Sequence, residues 1–309
     1  MINFRYHLVS LTAVFLALAI GIAMGATVVD QATVKLLRDR LDSVRKQANN
    51  TNTQNDALRA EVSRWRRFAD QGDELVRGTL AGGPPILIVA TRGVDHGTID
   101  ALKRTLATGG ATVQGTVWFT SKLKLDRQED AQALSNILGA TARPDLLRHA
   151  ALVSLAGAWA AGSGPGPLPA LRDAGFVDFD PATPGQTDLT GVPAPHSQFV
   201  VISDATPDVP NDQAAVPFVT ELAHDAATVV VAAEPGRDAA PKVPAQRAVF
   251  LHGIRNDASL AGRLSTVDNL EDYRGRMATV LSLLGLRSGR TGNYGVGPGA
   301  DRLLPEAPK

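Results

Sequence analysis

"AGGPPILIVATRGVDHG", residues 81–97, contains the change of pattern on which the fold depends. Two glycines and two prolines at 82–85 end any preceding helix, because proline cannot continue one and glycine loses the most backbone freedom there. The run that follows, "ILIVA" from Ile86, is apolar at every position, as a strand buried on both faces must be. The same alternation repeats downstream. A helix is expected near Thr98–Ala107, a strand in "TVQGTVWF" from Thr112, and helices between Glu129 and Ala161. Then come "FVVIS" from Phe199, a helix near Ala214–His224, "TVVVAA" from Thr228, a helix near Arg247–Asn256 and "RLSTVD" from Arg263. Continuous apolar strands separated by helices predict a doubly wound, mostly parallel α/β domain over residues 84–286. "GSGPGPLP" from Gly162 and the segment Pro181–Pro195 read as loops, and the Gly/Pro-rich tail, 287–309, has no apolar periodicity and is expected to wrap or dangle.

Upstream, after a short N-terminal tail (1–7), the uncharged run Leu8–Val29 would form a helix of roughly 33 Å, the apolar thickness of a bilayer. It reads as one transmembrane helix. Ala23 and Gly25 before Ala26 resemble a cleavage site, yet a secretory signal has a shorter apolar stretch, so an uncleaved anchor is expected. Ala13, Ala17, Gly21 and Gly25 recur every four residues, leaving a stripe along which another helix can approach, although small residues are common in membrane helices in any case. Loop charges place Arg5 on one side and Lys35, Arg38, Arg40, Arg45 and Lys46 on the other, but a long C-terminal domain translocates largely regardless of such charges.

Residues 30–80 carry a heptad. Val34, Leu41, Ala48, Asn55, Val62 and Ala69 occupy one seam position; Leu37, Val44, Thr51, Leu58 and Trp65 occupy the other. Two readings fit: a parallel coiled coil, most simply a homodimer, or one amphipathic helix packed on its own domain. The polar middle, "QANNTNTQND", makes Asn55 a register-setting residue in the first reading. "RWRR" at 64–67 fans its charges around the helix and reads as a solvated face.

Chemistry is sparse. Acids and bases balance at 31 each, which argues against nucleic acid as a partner. There is no cysteine, hence no disulfide and no thiolate ligand or nucleophile. None of the six histidines pairs with another at helical metal spacing, and there is no G-x-S-x-G elbow. "TRGVDHG" reproduces no phosphate-binding glycine pattern, and no helix follows "GNYGVGPG". The adjacent acids Glu129/Asp130 and Glu271/Asp272 read as helix-start charges. Asp268 and Asn269 follow the last strand, where they either face a ligand region or cap the next helix. No catalytic, cofactor-binding or metal residue is assigned, and no enzymatic activity is expected.

"FRYHLVSLTAVFLALAIGIAMG" at the start, with "STVDN", "ATVLSLLGL" and "GNYGVGPGA" at the end, resembles the actinobacterial copper transporter MctB family. The resemblance spans nearly the whole chain and marks Ser265, Thr266, Asp268, Asn269, Gly295 and Gly297 as its motif residues. It implies copper homeostasis and transport across the cell envelope by a single-pass protein with its large domain outside the cytoplasm, and copper enters only through it. The SteB-like branch implies a different role, a membrane-anchored coiled-coil module that works with an envelope or cell-division partner to regulate cell-wall hydrolysis and cell separation. Physically, one apolar helix cannot conduct an ion alone, and continuous apolar strands are unlike the alternating strands of a membrane barrel.

Overall fold

The computed structural model describes residues 4–185, 188–225, 228–235 and 249–306, with the backbone alone at 26–33, 66, 70 and 249. The chain divides into two compact units, Met1–Phe68 and Ala69–Lys309.

The described part of the first unit lies within helix α1 (Phe4–Val76). Its apolar part, Phe4–Gly25, has a mean hydropathy of 2.3 and no buried residue. Phe4–His7 already belong to the helix, so of the expected N-terminal tail only residues outside the described ones remain. The Thr12 hydroxyl donates to the Leu8 carbonyl at 2.8 Å, which lets a polar residue sit in an apolar helix without an unpaired hydroxyl. Thr51 does the same in the polar stretch, donating to Gln47 O at 2.9 Å.

The second unit starts within the last turns of α1, upstream of the expected boundary at 80–84. Gly72, Val76 and Leu80 are buried, and Tyr273 Oη donates to Asp73 at 2.7 Å. Its strands are β1 (Ile86–Thr91), β2 (Val113–Phe119), β3 (Val177–Pro181), β4 (Gln198–Ile202), β5 (Val230–Ala233), β6 (Ser265–Val267) and β7 (Asn293–Tyr294). They form one sheet in the order β3-β2-β1-β4-β5-β6-β7. All neighbours are parallel except β3, which runs antiparallel to β2 at the edge. Every residue of β1, β4 and β5 is buried, in keeping with their continuous apolar sequences.

The connecting helices are α2 (His96–Thr108), α3 (Gln128–Leu138), α4 (Pro144–Ala160), α5 (Leu168–Asp173), α6 (Ala215–Leu222), α7 (Val249–Arg255) and α8 (Tyr273–Leu286). α2 packs with α8, while α4 packs with α3 and α6. In the second of these layers Trp159 stacks on Phe199 with ring centroids 5.7 Å apart, and Phe218 meets Phe119 edge-on at 5.1 Å.

Several described elements lie outside the expectations from sequence, among them α5, β3 and β7. α5 and β3 lie between the strands foreseen at 112 and 199, and β7 lies in the tail. The tail is therefore ordered through Glu306, held by hydrogen bonds described below.

Candidate functional site

In a doubly wound sheet a ligand binds at the carboxyl ends of the strands where the winding reverses. Here that point lies between β1 and β4, and the loops that follow these two strands meet there. The Thr91 and Ser203 hydroxyls meet at 2.6 Å in a buried pair. Asp208 N donates to Arg92 O at 2.7 Å, bringing the loop after β4 over the end of β1. Gly93, at φ +107°, permits this approach, since a Cβ there would lie 3.1 Å from Thr206 O. The start of α2 is occupied as well: Asp95 accepts from Thr98 N at 2.8 Å, and this bond holds its carboxyl below the ordinary range.

Arg92 and His96 cover Trp118, whose ring is buried beneath them. The guanidinium sits 4.8 Å above the ring and the imidazole centroid 4.5 Å away. Arg92 also donates to Asp178 at 2.6 Å, and Trp118 Nε1 donates to Asp180 at 2.5 Å. The two acids of β3 thus serve the edge of the sheet.

The motif residues meet in a different place, the β6–β7 edge. Asp268, at the carboxyl end of β6, and Arg255, the last residue of α7, form a buried ion pair at 3.0 Å. Arg255 also donates to Thr266 Oγ1 (2.7 Å), Pro298 O (2.9 Å) and Tyr294 O (3.0 Å). Asp268 accepts from Val296 N at 2.7 Å and Gly297 N at 3.0 Å. Gly295, at φ +127°, and Gly297 bring the tail backbone so close that a side chain on Gly295 would overlap the Asp268 carboxyl. Thr266 donates onward to Asn293 Oδ1 at 2.8 Å, whose amide reaches Asp301 at 3.2 Å.

This network corrects one expectation and, of the wrapped and dangling readings of the tail, leaves the wrapped one. Asp268 neither faces an open ligand region nor caps a helix; it binds the tail, and Asp272 caps α8 by accepting from Arg274 N at 3.1 Å. Nor does the glycine-rich tail hang free, because its amides are bound by a carboxylate. Asn269 is left-handed at φ +61° and turns the chain toward α8, a conformation asparagine tolerates better than most residues. Ser265 stands apart from the network, its buried hydroxyl without a hydrogen-bond partner among the described residues. Sequence reasoning missed Arg255, which lies in the expected helix near 247–256 but carries no motif of its own.

The residues expected from the sequence to pair helices lie in the first unit. Ala17, Gly21 and Gly25 are exposed on the apolar helix, and Leu37, Leu41, Asn55, Leu58, Val62 and Trp65 are exposed along the heptad. All six histidines are exposed too. Among the described residues no three His, Cys, Asp or Glu side chains are grouped as metal ligands would be. Met24 is exposed in the apolar helix and Met277 is buried in α8.

Among the described residues, one helix that carries an apolar stretch of spanning length and a heptad precedes an α/β domain, which is the plan of a membrane-anchored protein. The chain matches the model of the family described as "Copper transport outer membrane protein, MctB" over residues 1–305, and it belongs to that family. It is similar to Copper transporter MctB of Mycobacterium tuberculosis (strain ATCC 25618 / H37Rv), at 29% identity, with 97% of this chain and 98% of the relative covered. Copper transporter MctB of Mycobacterium leprae (strain TN) is 31% identical, with 98% and 99% covered.

Proposed function

We propose that this protein serves copper homeostasis at the cell envelope, taking part in copper transport as a single-pass, anchored module rather than as a pore of its own. The observation that carries the reading is membership of the MctB family over residues 1–305. The geometry supports the qualification. Among the described residues there is one candidate span, the sheet is open and covered by helices rather than closed into a barrel, and no ligand cluster offers copper a preformed site. The α/β domain lies outside the cytoplasm and acts by binding rather than catalysis.

The working unit is a parallel homodimer. Leu37, Leu41 and Leu58 are more than half exposed, and a twin helix provides matching holes for them, with the small-residue stripe letting the membrane helices approach on the same side of the bilayer.

The test is the copper content of a deletion strain grown with added copper. Accumulation should differ from wild type and be restored by the full-length chain, but not by a form lacking residues 4–25. Unchanged copper content, with altered cell separation instead, would overturn the transport reading in favour of control of cell-wall hydrolysis.

A further inference from the structure

Glu234 follows β5 and is 2% exposed. Its Oε2 accepts from Leu251 N at 3.0 Å, which holds the beginning of α7. Its backbone is fixed on both sides, its N–H donating to Val267 O at 2.9 Å and its carbonyl accepting from Leu270 N at 3.2 Å. The other end of α7 is Arg255, which holds Asp268, Tyr294 O and Pro298 O. One short helix therefore joins a buried carboxyl group to the tail clasp. The charged groups facing that carboxyl among the described residues are Asp204, from the loop after β4, and Arg255. Asp268, after β6, is engaged with the same arginine, while His252 on α7 is exposed and turned toward Asn256.

We propose that Glu234 is a proton-operated release for α7 and the tail. With its carboxyl neutral, α7 stays seated and Arg255 clasps the tail; when the proton leaves, an anion buried beside Asp204 favours a state in which the start of α7 and the clasp open together.

Burial is the main cause that raises the Glu234 carboxyl from 4.5 to about 7, and Asp204 adds to it, while the Leu251 N–H and Arg255 oppose it. The sign follows from proton binding. Between these two values the closed state holds a proton that an opened, solvated Glu234 would release, so closure weakens as pH rises through that window and levels off above about 7.

The experiment is amide hydrogen exchange on the full chain in detergent from pH 5 to pH 8, corrected for intrinsic rates. Protection of Leu251 and Val296 should fall together, by about tenfold per pH unit up to about pH 7 and little beyond. Glu234→Gln should abolish the slope at both amides. Should that variant fail to fold, Asp204→Asn provides the second arm and should move the levelling point to lower pH. The proposal is overturned if wild-type protection is flat, if Leu251 responds without Val296, if Glu234→Gln keeps the slope, or if Asp204→Asn leaves the levelling point where it was.

Discussion

Asp268 and Gly295 show what a motif read in sequence becomes in three dimensions. The carboxylate satisfies two tail amides and one guanidinium, and the glycine is needed because the backbone passes where a Cβ would stand. Replacing Asp268 by alanine leaves Arg255 charged, buried and short of its partner, and should destabilise the domain by about 3–5 kcal/mol, as breaking a buried ion pair from one side does. Urea unfolding followed by tryptophan fluorescence measures this, because Trp118 and Trp159 are both buried in the second unit. Gly295→Ala should cost well over the roughly 1–2 kcal/mol that a left-handed alanine loses elsewhere. Gly289→Ala is the comparison, since Gly289 has φ +71° but open space around it. If the two alanine variants unfold alike, the close approach at Asp268 is not what the glycine provides. Position and residue type made Asp268 legible as special. Its partners were not, since Arg255 and Val296 are distant in sequence and only the adjacency of α7, β6 and β7 brings them together.

Among the elements, legibility followed burial. β1, β4 and β5 are apolar at every position because both faces are covered, and that pattern is visible without a structure. β3 reads "VDFDP", with acids that bind Arg92 and Trp118 at a sheet edge and a proline at its end, so its sequence resembles a loop. β7 has two residues, too few for any period, and exists because the Asp268 clasp holds the tail against β6. The heptad of α1 is legible in sequence, and its seam residues Leu37, Leu41, Leu58 and Val62 are exposed. Asn55→Leu should raise the melting temperature of the helical signal in the full chain while broadening the distribution of oligomers, since a buried asparagine exchanges stability for a defined register and strand number. Circular dichroism and light scattering check the two halves of that expectation. Cysteines placed at Leu41 and Leu58, in a chain with no thiol of its own, should each crosslink to their own copies in membranes, and one at exposed Arg59 should not. If neither seam position crosslinks better than Arg59, the homodimer is wrong.

For the whole molecule the deciding matter is whether Phe4–Gly25 stays attached, because an anchor and a cleaved signal lead to different proteins from the same sequence. The run is 22 residues with a mean hydropathy of 2.3, enough for a helix to cross the roughly 30 Å hydrocarbon core. None of its described side chains is buried. The helix also continues without a break from Phe4 to Val76. The cations from Lys35 to Lys46 would by loop counting hold that side in the cytoplasm, yet they are interleaved with Asp39 and Asp42 and precede a long folded domain, a setting in which the counting rule loses force. The protein should therefore sediment with membranes after carbonate extraction, and its mature form should retain the residues before Ala26. A cysteine replacing exposed Leu303 should react with a membrane-impermeant maleimide in intact cells whose outer layers admit the reagent, whereas one replacing Arg5 should react only after the membrane is opened. A soluble product beginning near Ala26 would overturn the anchor, and labelling of position 5 in place of 303 would reverse the orientation.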